Sequence, residues 1–252
     1  MIHGFRGTHH GLSLIAKELS DFDVIIPDLP GFGEGDSLSS YTLSSYVEWL
    51  ATFIKAQKLK EPPVLLGHSF GSIVSAAYAA KYPNTISRLI LVNPIGAPAL
   101  EGPRGILTKL AVFYYFVGKK LPQKLAQPWL SSKAVVMIMS TTMAKTKDKS
   151  LRKYIHAQHL QYFSRFHTAK SVAEGFDTSV SNSVRDVAHK ITVPTLLIAG
   201  DQDDITPLVK QQELFKKFPH AELVVIENVG HLTHYETPAD IAKATQAFIK
   251  LS

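Results

Sequence analysis

One ten-residue stretch, residues 63–72 (PVLLGHSFGS), constrains the fold of this chain more than any other part of its sequence. Residues 64–66 form an uninterrupted apolar run, which is typical of a strand covered on both faces of a parallel sheet. The motif G-x-S-x-G follows over residues 67–71, and a run rich in Ser and Ala comes next. The stretch therefore predicts a buried strand, a sharp turn that presents Ser69, and a closely packed helix.

Strands and helices alternate along most of the chain. Apolar runs predict further strands at residues 24–26, 89–92, 195–199 and 223–226. Periodic patterns predict helices at residues 11–19, 43–55, 71–81, 207–218 and 238–251. This alternation predicts an α/β fold, with a mostly parallel sheet flanked by helices on both faces.

Residues 94–190 interrupt the alternation. Their pattern predicts several helices broken by Pro103, Pro122 and Pro128. With 15 Lys and Arg against five Asp and Glu, the segment is basic, which favours anionic ligands but equally fits a solvated helical surface. No aromatic-interleaved basic motif indicates nucleic acid binding. We therefore predict an α/β core of residues 1–93 and 191–252, with residues 94–190 inserted over the sheet as a helical cap.

Several classes of function are disfavoured by what the sequence lacks. The chain has no Cys, which excludes disulfides, thiolate catalysis and zinc–thiolate sites. His156 and His159 have helical i,i+3 spacing, but two histidines without a third ligand make a weak metal site, so we predict neither metal nor cofactor. No export signal and no apolar run of membrane-spanning length is visible, which predicts a cytoplasmic protein without stable membrane insertion.

Four loops at the carboxyl edge of the predicted sheet carry the chemistry. They are residues 3–6 (HGFR), the turn at Ser69, residues 200–207 (GDQDDITP) and residues 229–234 (VGHLTH). A serine, a carboxylate and a histidine therefore meet at one edge. An imidazole with a pKa near neutrality activates the serine, and a carboxylate fixes the imidazole tautomer. Two backbone N–H groups, those of Phe5 and Phe70, are the candidates for stabilising a developing oxyanion.

The motifs resemble those of alpha/beta-hydrolase-fold serine hydrolases of the capped, esterase-like kind. Five of them occur in order: H-G-x at residues 3–5, D-x-x-G-x-G at 28–33, the serine turn at 67–71, G-x-x-D-x-x-x-P at 200–207 and G-H at 230–231. The resemblance covers almost the whole chain outside the predicted cap. It implies a catalytic triad of Ser69, Asp203 and His231.

Residues adjacent in the sequence compete for two of these roles. Asp201 and Asp204 flank Asp203, which the spacing from Gly200 and Pro207 in the family motif favours. His234 competes with His231, which the preceding glycine favours. We interpret His68, next to the serine, as structural.

The resemblance implies hydrolysis of a carboxylic ester or similar acyl bond through an acyl-enzyme, without a cofactor. The expected substrate is a small apolar or amphipathic acyl compound, with an anionic one left open by the basic cap. Two alternatives remain: carbon–carbon hydrolysis of a keto-dienoate with the same triad, and a non-catalytic binding protein. Dehalogenase and epoxide hydrolase chemistry is disfavoured because those relatives carry Asp where this chain has Ser69.

The chain departs from the family pattern at its start. Only Met1 and Ile2 precede His3, whereas family members carry two or more strands before this loop. We therefore expect the natural protein to begin some tens of residues upstream. The sequence leaves the oligomeric state open.

Overall fold

The computed structural model describes residues 1–97 and 105–250. Within these residues a single four-stranded sheet has the order β1-β2-β3-β4, and every strand is parallel to its neighbour. The strands are β1 (Val64–His68), β2 (Arg88–Val92), β3 (Thr195–Gly200) and β4 (Ala221–Ile226). The predicted α/β fold with a parallel sheet is confirmed.

The helices follow the strands in the expected rhythm. The core contains α1 (Ser13–Glu18), α2 (Leu43–Ala56), α3 (Phe70–Lys81), α9 (Leu208–Phe215), α10 (Thr233–Glu236) and α11 (Pro238–Lys250). Five helices lie between β2 and β3 in the chain: α4 (Gly105–Lys120), α5 (Gln123–Leu130), α6 (Lys133–Met143), α7 (Lys149–Tyr162) and α8 (Ala169–Ser181). Short 3-10 turns at His9–Leu12, Val184–Asp186 and Ala188–Lys190 complete the regular structure of the described residues.

Alternate residues of each strand pack against opposite helical layers. In β2, Leu89 and Leu91 face the layer that includes α2 and α3, whereas Ile90 and Val92 face α1 and α11. Because side chains alternate along a strand, continuous apolar runs are needed to fill both layers. This double burial is why β2 carries no polar residue after Arg88.

The strand register brings four strand ends to one edge of the sheet. His68 pairs with Val92, and Gly200 pairs with Ile226. The residues that come directly after these strands therefore share the edge where open α/β sheets place their ligands. Ile2 reaches the same sheet through an isolated parallel bridge to Gly67.

Two details of the predicted elements are wrong. Residues 24–26 form no strand; the carbonyl of Ile25 accepts a hydrogen bond from the Met1 amino group, 2.7 Å away, but no adjacent chain builds a ladder there. Pro128 lies inside α5 instead of ending it, since a proline near the end of an eight-residue helix removes only one intrahelical hydrogen bond. Pro122 caps α5 as its preceding residue, and Pro103 lies outside the described residues.

Across the described residues, no helix combines the length and apolar character needed to cross a bilayer.

Candidate active site

Ser69 occupies a strained turn between β1 and α3. Its φ is 52° and its ψ is −117°, a conformation that side-chain-bearing residues rarely adopt. The turn needs glycine on both sides. A Cβ on Gly67 would collide with the carbonyl of Gly71, and one on Gly71 would collide with the carbonyl of Ile2. The G-x-S-x-G spacing thus lets three backbone segments pack closely while Ser69 points away from the sheet.

Ser69, His231 and Asp203 form one continuous hydrogen-bonded chain. The Ser69 Oγ lies 2.8 Å from His231 Nε2, and His231 Nδ1 lies 2.8 Å from Asp203 Oδ2. Ser69 and His231 are 162 positions apart in the sequence, and Asp203 and His231 are 28 positions apart. The structure therefore brings together the three side chains that the sequence predicted to meet. With one imidazole nitrogen facing a hydroxyl and the other a carboxylate, the geometry suits proton transfer from Ser69.

The Asp203 carboxylate is buried and well supplied with donors. Its Oδ1 accepts hydrogen bonds from the backbone N–H groups of Ile205, at 2.8 Å, and Thr206, at 2.9 Å. The Thr206 hydroxyl donates to Oδ2. Burial alone would raise the pKa of Asp203, but His231 and the Thr206 hydrogen bonds outweigh it and hold that pKa below its usual range. Asp203 is therefore ionised whenever the protein is folded near neutral pH.

Asn93 is a site residue that the sequence reasoning missed. Its side-chain amide donates to Asp203 Oδ2 at 2.8 Å, and its carbonyl oxygen accepts a hydrogen bond from the Thr233 hydroxyl. Asn93 directly follows β2 and has a φ of 46°, so it sits at the same carboxyl edge as Ser69. The sequence feature that could have indicated it is the position of Asn93 between a buried strand and Pro94.

The neighbouring residues that competed for the triad roles have other partners. Asp201 accepts a hydrogen bond from the Val229 backbone at 3.3 Å, and Asp204 forms an ion pair with Lys145. The ring of His234 packs 4.0 Å from that of His68. The carboxylate that is hydrogen-bonded to His231 is that of Asp203, and the imidazole that is hydrogen-bonded to Ser69 is that of His231.

His68 is hydrogen-bonded to the backbone of His231. Its Nε2 donates to the His231 carbonyl at 3.2 Å, and its own ring is buried. Burial, reinforced by the nearby His231, lowers the pKa of His68 to about 3. Burial likewise lowers the pKa of His3 and His234, and that of His159 to about 3. These buried imidazoles are neutral in the folded protein.

The neutral histidines predict a loss of stability in acid. An unfolded His binds a proton below its ordinary pKa of 6.5, whereas folded His68 resists protonation down to about 3. Between these values the unfolded state holds more protons, so lowering the pH reduces the free energy of unfolding, by about 1.4 kcal/mol per pH unit for each such histidine. Urea unfolding from pH 7 to 4 measures this slope. His68→Gln should make it shallower; equal slopes for wild type and His68→Gln would contradict the prediction.

The two predicted oxyanion donors flank Ser69. Phe70 is the first residue of α3, where the backbone N–H has no intrahelical acceptor. The loop that carries Phe5 lies against the serine turn, since a Cβ built on Gly4 would lie 3.3 Å from Ser69 Cβ. A hydrogen bond from Gly7 N to Gly4 O, 3.0 Å long, closes this loop into a turn.

A cavity of about 240 Å³ opens beside Ser69. Its walls combine the loop of residues 3–7 with residues of α6 and α8 and the segment after α7, including Met139, Met143, Phe163 and Phe176. No Lys, Arg, Asp or Glu is among the described residues that line it. The cavity therefore offers an apolar environment next to a polar reaction centre.

Three further histidines bond to nearby side chains. His156 Nδ1 and His159 Nδ1 lie 2.6 and 2.7 Å from the same Ser140 hydroxyl. His9 pairs with Asp28, 2.9 Å away. Among the described residues no group of three or more His, Asp or Glu side chains is arranged to hold a metal ion.

Comparison with known proteins agrees with this architecture. The family model for the alpha/beta hydrolase fold matches residues 1–238. The chain is an alpha/beta hydrolase. The motifs at residues 3–5, 67–71 and 230–231 all lie within the matched region, so the resemblance inferred from them is confirmed.

Similar proteins within this family include lipases and esterases. Lipase 1 of Psychrobacter immobilis is 27% identical over 257 residues, which cover 98% of this chain and 75% of that protein. Human monoacylglycerol lipase ABHD6 is 26% identical, with 99% and 74% covered. A thermophilic esterase from Thermogutta terrifontis superposes with a TM-score of 0.78 at 24% identity, covering 99% of this chain and 88% of that one. The chain is thus a lipase- or esterase-like alpha/beta hydrolase.

Proposed function

We propose that this hydrolase cleaves carboxylic esters with Ser69 as nucleophile, His231 as general base and Asp203 as the group that orients the imidazole. The two consecutive 2.8 Å hydrogen bonds from Ser69 through His231 to Asp203 are the observation that supports this most directly. Relatives that are lipases and esterases support the same chemistry.

In the proposed reaction the Ser69 hydroxyl attacks the ester carbonyl while His231 Nε2 takes its proton. Asp203 stabilises the imidazolium that forms. The backbone N–H groups of Phe5 and Phe70 hold the negative oxygen of the tetrahedral intermediate. His231 then protonates the departing alcohol, leaving an acyl-enzyme. Water, deprotonated by His231, hydrolyses this intermediate and regenerates Ser69.

The cavity supports an apolar acyl group of limited length. Its volume of about 240 Å³ corresponds to roughly eight times the share of liquid volume that one water occupies. Met139, Met143 and Phe176 supply apolar contacts for a hydrocarbon chain. We therefore propose esters of short to medium acyl chains as the substrates.

The same cavity favours ester hydrolysis over the carbon–carbon alternative. A keto-dienoate carries a carboxylate that needs a cationic or strongly donating partner when it is buried. The described lining contains no Lys or Arg, although residues 94–190 as a whole are basic. A neutral ester fits this lining better than an anion does.

We also propose that residues 94–190 act as a cap over the site. Helices α6 and α8 each contribute residues to the cavity wall, while β2 and β3, which bracket the segment, belong to the sheet. This supports the boundaries predicted from the sequence.

A panel of p-nitrophenyl esters tests the proposed function. Each methylene that the cavity buries contributes about 0.8 kcal/mol, or about fourfold, so kcat/KM should rise with acyl length. The rise should end once the acyl chain is longer than the cavity, and kcat/KM should be lower for palmitate. Met139→Ala should move the optimum to longer chains, whereas Met137→Ala, on the same helix outside this cavity, should not.

The panel includes a keto-dienoate and a fluorophosphonate probe. Cleavage of the keto-dienoate in preference to every ester would contradict the ester assignment. A wild-type protein that neither hydrolyses any ester nor reacts with the probe would instead point to the binding-protein alternative.

A further inference from the structure

Arg6 is a fully buried cation whose side chain has no part in the proposed reaction. Its side chain is only 1% exposed, and no Asp or Glu of the described residues pairs with it. Burying an unpaired charge is costly, so a structure keeps such a group only where strong polar partners replace water.

Backbone carbonyls at two helix ends supply those partners. Arg6 Nη2 donates to the carbonyl of Leu130, the last residue of α5, at 2.9 Å. Arg6 Nε donates to the carbonyl of Phe163, the residue that caps the end of α7, at 2.8 Å. Helix carboxyl ends carry partial negative charge and free carbonyls, so together they offset the guanidinium charge in place of a carboxylate. Arg6 therefore binds two helices of the predicted cap at once.

A third hydrogen bond joins Arg6 to α4. Arg6 Nη1 donates to the Tyr115 hydroxyl at 3.1 Å. The Tyr115 ring stacks on Phe176 at 4.0 Å and contacts the ring of Phe5 at 5.7 Å. Phe5 also contacts Phe70 at 6.4 Å. The Phe5 ring thus packs against Tyr115, which Arg6 holds, and the Phe70 ring packs against Phe5 in turn.

The backbone conformation at position 6 indicates that arginine is present there because of its side-chain contacts. In the turn closed between Gly4 and Gly7, Arg6 is the third residue and has a φ of 59°. A positive φ at this position normally favours glycine. The backbone of Arg6 is therefore strained at a position where glycine would be unstrained. Its hydrogen bonds to α4, α5 and the end of α7 compensate for this strain.

We propose that Arg6 is a positioning residue that ties the oxyanion turn to the cap, so that the Phe5 N–H is correctly placed only when the cap is seated. The inference rests on the proposed function, since it assumes that Phe5 donates to the oxyanion. It makes the geometry of the oxyanion hole depend on the position of the cap, because one guanidinium joins the turn to three helices of residues 94–190.

Arg6→Gly is the decisive variant because glycine suits the turn backbone and the substitution removes the link to the cap. We expect kcat for p-nitrophenyl butyrate to fall about 10- to 100-fold, as for a displaced oxyanion donor, while KM changes less than about threefold. Affinity for an alkyl boronic acid, which forms a tetrahedral adduct with the serine and places an oxygen in the oxyanion site, should fall in parallel with kcat. Millimolar guanidinium should restore part of kcat, whereas ammonium should not.

Tyr115→Phe covers the case in which Arg6→Gly fails to fold, since it deletes one hydrogen bond and keeps the ring packing. A decrease in kcat of about three- to tenfold is expected. The matched control is Arg165→Ala, an exposed arginine of the same segment, which should leave kcat unchanged.

Folded Arg6→Gly enzyme with wild-type kcat and boronate affinity would overturn the proposal. So would a fall in kcat with unchanged boronate affinity, or, where Arg6→Gly is unfolded, wild-type kcat in Tyr115→Phe. These outcomes differ from failure of the proposed ester hydrolysis, in which the wild-type protein itself would hydrolyse no ester.

Discussion

Ser69→Ala is expected to abolish ester hydrolysis, with kcat falling by roughly 10⁵- to 10⁶-fold. The alanine removes the only atom in the proposed scheme that forms the acyl-enzyme, while the hydrogen bond between His231 and Asp203 stays in place. Turnover of p-nitrophenyl butyrate and covalent labelling by a fluorophosphonate probe measure the two aspects of this loss. Both signals should disappear together.

Ser179→Ala provides the matched control. Ser179 also lines the cavity, but its hydroxyl donates to the Phe176 carbonyl at 2.8 Å and not to His231. Removing this hydroxyl should change kcat by less than about threefold, as expected for the loss of one hydrogen bond that is not part of the reaction. Continued labelling of the Ser69→Ala protein would show that another nucleophile carries the reaction and would remove the basis of the assignment.

Asp203→Asn is expected to reduce kcat by about 10⁴-fold with little change in KM. An asparagine amide facing His231 Nδ1 donates where the carboxylate accepts, so it stabilises the wrong imidazole tautomer and cannot offset the imidazolium charge. The exchange keeps the size of the side chain, and Asn93 remains beside it. Kinetics on p-nitrophenyl butyrate, with thermal unfolding to check the fold, measure the effect.

Asp201→Asn and Asp204→Asn are the controls that the sequence itself offers. Both carboxylates lie in the same loop, but Asp201 accepts from the Val229 backbone and Asp204 pairs with Lys145. Each variant should retain kcat within about tenfold, because a partly exposed ion pair or one peripheral hydrogen bond contributes little. A loss at either position as large as that at Asp203 would mean that the acid of the triad has been assigned to the wrong residue.

The sequence was most informative where structure depends on neighbours in the chain. The apolar run at residues 64–66 and the glycines at 67 and 71 correctly predicted β1, the strained turn at Ser69 and helix α3. The same reasoning failed at residues 24–26, because an apolar run becomes a strand only when another backbone is present to pair with it. Local pattern therefore indicated an extended segment but not its partner.

Residues without a local pattern could not be assigned from the sequence. Asn93 and Asp203 are 110 positions apart, and Arg6 is 124 positions from Leu130. The first contact exists because the parallel register brings strand ends to one edge, and the second because the end of α5 packs against the turn of residues 4–7. No spacing pattern in the sequence predicts contacts between residues so far apart.

By itself, then, the sequence determined the α/β class, the order of the motifs and the serine turn, since backbone sterics and apolar burial act over a few residues. Tertiary structure alone decided that Asn93 hydrogen-bonds to Asp203 and that a buried arginine links the turn of residues 4–7 to three helices. Those outcomes depend on hydrogen bonds and charges whose partners are distant in the chain, and packing of the whole fold is what brings them within reach.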